Sequence, residues 1–171
     1  MKVFLLCKCI FHEVAMYDRH FLGIFLELTY LEITLRNDNA MAVLSHLLSN
    51  YPDLIVGVGT ITNSDSLFSV ADSGAHFGVT PGMNSALYAA MDKSSLPIIP
   101  GVSTISEAWV DIEKNKFDLI ICDVVLPDGD GLELVKKVKS KNNSQSFIII
   151  SAKNNLLTAI KANQLDVVDY L

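Results

Sequence analysis

A regular alternation of short apolar runs with amphipathic segments limits what this chain can become more than any single motif does. The runs are Leu31 to Leu35, Leu54 to Val58, His76 to Val79, Leu96 to Ile99, Phe117 to Cys122, Phe147 to Ile150 and Val167 to Leu171. Between them lie stretches with helical spacing. In Ala40 to Leu48, residues Met41, Leu44, Leu47 and Leu48 share one face; Ser64 to Ser73 follows the same period; Leu132 to Lys141 turns Leu132, Val135 and Val138 inward. Strands that read as continuous apolar runs are covered on both faces, and parallel neighbours need a crossover, usually a helix. The fold class that follows is α/β, built from parallel βα repeats. Ligands in such folds collect at the carboxyl ends of the strands. The polar residues expected there are Arg36, Thr60, Thr80-Pro81-Gly82, Gly101, Asp123 and Ser151.

Residues 1–28 are harder to read. Val3 to Phe11 suits a buried first strand, whereas only a weak helical spacing through Val14, Phe21, Phe25 and Leu28 survives in His12 to Leu28. His12 and His20 are too far apart for one helix face to hold a metal between them, so they read as ordinary side chains. The chain has 171 residues, half of them apolar, and a formal charge of -6. That length suffices for one domain or two small ones. The charge speaks against a nucleic-acid surface, and no apolar run is long enough to cross a bilayer. Cys7, Cys9 and Cys122 lack metal-like spacing and read as free thiols, with a cytoplasmic setting as the expectation.

The repeat changes character at Pro100 to Trp109. Leu96 to Val102 reads as one buried strand, and Ser103 or Thr104 caps the helix after it. Lysine and arginine number five before Trp109 and eight from it onward. Residues 29–108 and 103–171 therefore read as two βα segments sharing a junction helix.

On the first side of that junction, Glu32, Thr34 and Arg36 fall on one strand face. A planar guanidinium suits a carboxylate or phosphate, and a neighbouring glutamate can move protons; a structural Glu-Arg pair is the plainer alternative. Ile55-Val56-Gly57-Val58-Gly59-Thr60, Ala75 to Gly82 and Leu96 to Thr104 follow at strand spacing. Together these segments resemble the 2-keto-3-deoxy-6-phosphogluconate and 4-hydroxy-2-oxoglutarate aldolase family over about Thr29 to Ala108. The resemblance implies a partial TIM barrel and a class I aldolase that releases pyruvate and an aldehyde through a lysine Schiff base, with no cofactor. It assigns Glu32 as the catalytic proton-transfer residue, Arg36 and Thr60 as holders of the small keto-acid carboxylate, and Pro81 with Gly82 as pocket wall. The family's Schiff-base lysine motif and its later phosphate-binding glycine-rich strands have no counterpart here. An imine needs an amine nucleophile; Lys93 falls in or just after a helix, so the expectation is an aldolase-like unit without catalysis.

On the second side, Phe117 to Asp123 is a strand ending in an aspartate. Leu126-Pro127-Asp128-Gly129-Asp130-Gly131 is a turn-rich loop before a helix, Phe147 to Ile150 ends in Ser151-Ala152-Lys153, and Val167 to Leu171 follows. This pattern is similar to the receiver domain of two-component response regulators of the nitrogen-regulation type, a flavodoxin-like fold. The resemblance implies Asp123 as phosphoacceptor and Mg2+ ligand, Ser151 as the hydroxyl contacting the phosphoryl group, Mg2+ as cofactor, and a sensor histidine kinase as partner. The acidic pair that should complete the metal site is missing, since Glu13 stands alone, and Lys153 is misplaced for the family's phosphoryl-contacting lysine. Two architectures stay open: a barrel-like hybrid, with Asp123 where the aldolase lysine belongs, or an open parallel sheet. A chimeric or truncated chain with neither activity complete is the third functional alternative.

Overall fold

The computed structural model describes residues 3–6, 29–151 and 156–171. Cys7, Cys9, the remainder of the first expected strand to Phe11, His12 to Leu28 with Glu13 and His20, and Lys153 lie outside the described residues. The chain divides into two compact units, one of Ile10–Ile98 and one of Met1–Cys9 with Ile99–Leu171.

The first unit carries a four-stranded sheet in the order β2 (Tyr30–Thr34), β3 (Ile55–Gly59), β4 (Phe77–Val79), β5 (Ile98–Ile99). Parallel pairing of β2 with β3 sets Glu32 beside Gly57 and Thr34 beside Gly59, and β4 adds Phe77 beside Gly57. Helices α1 (Ala40–Asn50), α2 (Ser64–Asp72) and α3 (Ser85–Met91) connect the strands. Asparagine precedes all three, and in two its side chain caps the helix: Asn63 Oδ1 accepts from the Ser66 amide at 2.9 Å and Asn84 Oδ1 from the Leu87 amide at 2.9 Å. Each satisfies an amide that the first helical turn leaves unpaired. Leu44, Leu47, Val56, Val58, Ile61, Leu67, Val70 and Leu87 form the core. The expected inward face of α1 is confirmed at Leu44 and Leu47, with Met41 and Leu48 packed partly buried at its margin. Two glycines shape the other face of β3. A Cβ at Gly57 would enter the Phe77 ring, and one at Gly59 would strike the Glu32 carboxylate.

The second unit carries a five-stranded parallel sheet in the order β11-β10-β7-β1-β6, from β1 (Val3–Leu6), β6 (Gly101–Val102), β7 (Leu119–Asp123), β10 (Ser146–Ile150) and β11 (Asp169–Tyr170). Setting aside the short ribbon of β8 (Val125–Leu126) and β9 (Gly129–Asp130), this is the doubly wound order 2-1-3-4-5. Helices α4 (Ile105–Lys114), α5 (Gly131–Lys141) and α6 (Leu156–Gln164) join its strands. Its core gathers Val102, Ala108, Ile120, Leu132, Leu134, Val135, Val138, Phe147 and Ile149, and it includes the three residues expected inward on α5. Full burial of side chains such as Phe147 and Ile149 is worth about 1.5–3 kcal/mol each.

Two expectations need correction. Leu96 to Val102 is not one strand. It breaks at Pro100, with Ile98–Ile99 in the four-stranded sheet and Gly101–Val102 in the five-stranded one; proline has no amide to continue a ladder. Asp123, expected where the aldolase lysine belongs, consequently ends the seventh strand in chain order and lies in a different sheet from Glu32. The loop Leu126 to Gly131 is partly a ribbon, pairing Val125 with Asp130 and Leu126 with Gly129.

That ribbon presents Asp128 to the start of α4. Its Oδ1 accepts from the Ile105 amide at 2.8 Å, and its Oδ2 from the Ser106 amide and hydroxyl at 3.0 Å. Thr104 is the N-cap, accepting from the Glu107 amide at 3.2 Å, while Glu107 reaches back to the Ser103 amide at 3.0 Å. The arrangement varies the capping box. Farther along the helix, Trp109 lies beneath the ammonium groups of Lys137 and Lys141, at 3.9 and 4.4 Å from the ring centre.

The Ile105 and Ser106 donors hold the Asp128 carboxyl below its ordinary 3.8. A lowered folded-state value means stability present above 3.8 and lost as pH falls through the folded value. Asp128→Ala is expected to lower the melting temperature of the second unit at neutral pH, and the difference from the parent should vanish in acid below 3.8, as thermal melts across that range will show.

Candidate functional sites at two strand-end edges

In a parallel sheet every strand ends on the same edge. At the carboxyl edge of the four-stranded sheet, the Leu35 amide donates to Gly59 O at 2.9 Å and the Ile61 amide to Val79 O at 3.1 Å. These bonds extend the ladder past the ends of β2, β3 and β4, bringing the segments that carry Arg36, Thr60 and Thr80-Pro81-Gly82 to one edge. Glu32 and Thr34 are half-buried, Arg36 and Pro81 are exposed, Gly82 is half-buried and Thr80 is fully buried. The polar face expected from Glu32, Thr34 and Arg36 therefore opens to solvent at its arginine end.

Glu32 occupies the space that Gly59 leaves vacant. Burial pushes its carboxyl above the ordinary 4.5, and the Arg36 guanidinium partly offsets the rise. Next to Gly59, Thr60 has a φ of 64°, left-handed backbone that costs a β-branched residue about 1–3 kcal/mol. Lys93 is the one lysine in residues 29–98. It follows α3, its amide donating to Ala90 O at 3.1 Å, and it is exposed. A crossover helix returns the chain to the amino edge of the sheet, so Lys93 lies at the end opposite Glu32.

The second edge belongs to the five-stranded sheet. Ile150 pairs with Asp123, so Ser151 follows directly beside the aspartate on the neighbouring strand. Asp123 Oδ1 accepts from the Val125 amide at 3.0 Å, and the Ser151 amide donates to Leu171 O at 2.9 Å. Asp123 also ends the strand at which this sheet reverses direction, since β6 lies on one side of β1 and β7 on the other. Crevices at such switch points are where ligands bind in open α/β sheets. Gly131 is needed close by, because a Cβ there would meet the Asp123 carbonyl. Cys122 is buried, and its thiol is pushed up to about 12 by burial and then by Asp123 and Asp130, which makes it inert.

Nearby acids are committed elsewhere: Asp128 caps α4, and Asp130 Oδ1 accepts from the Leu132 amide at 2.8 Å at the start of α5. No group of three histidine, cysteine or acidic residues able to hold a metal occurs among the described residues. A hard divalent cation needs several oxygen ligands. The described residues around Asp123 supply one carboxylate not used as a helix cap, itself accepting from the Val125 amide, and do not by themselves fit Mg2+.

Comparison with known proteins follows the same division. The sequence profile of KDPG and KHG aldolase matches residues 26–120, and that of the response regulator receiver domain matches residues 80–171. Each covers more than half of the chain. The chain belongs to both families. The 2-dehydro-3-deoxy-phosphogluconate aldolase of Pseudoalteromonas atlantica is 44% identical over 83 residues, which cover 48% of this chain and 39% of that protein. The DNA-binding transcriptional regulator NtrC of Azospirillum brasilense is 39% identical over 66 residues, 39% of this chain and 14% of that protein. The chain thus spans well under half the length of these curated relatives. A crystal structure of KDPG aldolase from Legionella pneumophila, with pyruvate captured as a covalent carbinolamine intermediate, matches with a TM-score of 0.59 at 25% identity, over 83% of this chain and 69% of that one. The aldolase-like and receiver parts account for its parallel α/β architecture, TIM-barrel-like and flavodoxin-like respectively. No helix among the described residues is long and apolar enough to cross a membrane.

Within the aldolase-like unit, Gly59 beneath Glu32 is the site element that sequence reading missed; its signal was the Gly-x-Gly of β3. Glu32 carries a testable consequence. A carboxyl raised by burial binds its proton more tightly in the folded state, so its ionisation costs stability as pH rises above 4.5. Glu32→Gln is expected to be more stable than the parent at neutral pH, with the gap closing as pH falls through the raised folded value and gone once pH is below 4.5, measured by urea unfolding from neutral pH down past that point.

Proposed function

We propose that the aldolase-like unit is a binding site for a small 2-keto acid of the pyruvate type that has lost imine chemistry. The observation that carries this reading is the half-buried Glu32 carboxyl lodged over Gly59, at the same strand-end edge as Arg36 and Thr60. The Arg36 guanidinium offers two parallel donors to the keto-acid carboxylate, and Thr60 adds a hydroxyl. Glu32, its proton affinity raised by burial, is suited to moving a proton at the carbon beside the keto group. Cleavage of 2-keto-3-deoxy-6-phosphogluconate or 4-hydroxy-2-oxoglutarate by a class I route also requires an amine to attack the carbonyl. Lys93 is at the opposite edge. This reading needs no cofactor and places the protein in the cytoplasm. Borohydride reduction with pyruvate present is expected to give no mass increase, while pyruvate binding, followed by ligand-observed NMR, should weaken in Arg36→Ala. A trapped adduct would overturn the loss of catalysis; unchanged binding in Arg36→Ala would overturn the site.

A second reading rests on the position of Asp123 at the switch point of a five-stranded sheet in receiver order. Here Asp123 accepts a phosphoryl group from a sensor histidine kinase, and Ser151 on the next strand contacts it. Its test is acid-labile labelling by acetyl phosphate with Mg2+. Labelling that disappears in Asp123→Asn supports this reading, whereas an unlabelled parent chain, or a label that persists in the variant, leaves the receiver unit without its phosphoacceptor.

A further inference from the structure

The five-stranded sheet is assembled from two distant parts of the chain. Strands β6, β7, β10 and β11 come from one continuous stretch, Ile99–Leu171, but the strand between β6 and β7 is β1, from Met1–Cys9. Its backbone pairs on both sides. Val3, Phe4, Leu5 and Leu6 match Leu119, Ile120, Ile121 and Cys122 of β7, and Leu5 and Leu6 also match Gly101 and Val102 of β6. Because β6 is the last strand in the order, β1 is its sheet neighbour and its link to the other strands. Gly101 and Val102 are buried, and Val102 belongs to the core. Buried backbone groups must be paired, so the slot between β6 and β7 demands a strand.

In an ordinary crossover that strand would arrive through a short local connection. Here a separate unit with its own sheet and core intervenes between β1 and β6. Contacts between segments so far apart in sequence form late, after the local pairings of β7, β10 and β11 have had their chance. For that interval the slot is open, and nothing in four residues of parallel backbone pairing distinguishes a strand of the same chain from the identical strand of another. Exchange of an identical element between copies is a low-cost route to dimers, and strand addition gains its affinity from main-chain bonds.

We infer that the slot between β6 and β7 is a strand-acceptor groove, and that its partner is the N-terminal strand of a second copy of this chain, exchanged reciprocally for β1. The inference is independent of either functional reading.

The test uses the full chain and a synthetic peptide of residues 1–9. Leu5→Pro removes a ladder amide from the middle of β1. Amide hydrogen exchange is expected to show lost protection at Gly101–Val102 and Leu119–Asp123, retained protection at Ile55–Gly59, and recovery at the first two strands when the peptide is added. Protection unchanged by Leu5→Pro, or lost and not restored by the peptide, would overturn the inference. A second measurement needs no substitution: the parent chain, refolded at increasing concentration, should yield a growing fraction of dimer that excess peptide suppresses. Absence of dimer at every concentration, or a dimer indifferent to the peptide, would also overturn it.

Discussion

A proline has no amide hydrogen to give, and at Pro100 that absence falls in the middle of one apolar run. Ile98 and Ile99 complete the four-stranded sheet, while Gly101 and Val102 open the second stretch of the five-stranded one. With a residue able to donate at position 100, the run could continue as a single strand, and one of the two sheets would lose its terminal member. Pro100 is itself buried. The run thus changes sheet at this residue, and Glu32 and Asp123 lie in different sheets on its two sides.

Each unit then builds its strand-end edge from a different economy of space and charge. In the first, glycines on β3 make room: one admits the Phe77 ring, and the other admits the Glu32 carboxylate. In the second, carboxylates are consumed by helix starts. Asp128 and Asp130 each satisfy amides of a first helical turn, which leaves Asp123 as the acid on the strand end. Both edges depend on local backbone accounting, one by removing a side chain and the other by supplying one.

Much of this was legible in the residues. The apolar runs mark the strands because burial on both faces leaves no polar alternation to confuse them, and the inward positions Leu44, Leu47, Leu132, Val135 and Val138 follow from helical period alone. A hydroxyl cap at Ser103 or Thr104 follows from their place before the helix, and the structure selects Thr104. Less legible was anything that depends on a distant partner. Asp128 caps a helix more than twenty residues earlier in the chain, and its own neighbours announce only a turn. The destination of Val3 to Leu6 is not encoded in those four residues, since an apolar strand suits either sheet equally. Arg36 is exposed and lies past the strand rather than on its face, because the strand ends at Thr34 and the chain has already begun to turn.

The stacked position of Trp109 has a spectroscopic corollary. It is the single tryptophan of the chain, it packs against the core of the second unit, and two ammonium groups rest over its ring. Indole emission excited at the red edge of its absorption therefore reports on that unit alone. Of the described tyrosines, Tyr30, Tyr51 and Tyr88 belong to the other unit and Tyr170 shares the unit of Trp109, so the tryptophan and not the tyrosines separates the two. The molecule carries its own optical label for telling whether its halves melt together or in turn.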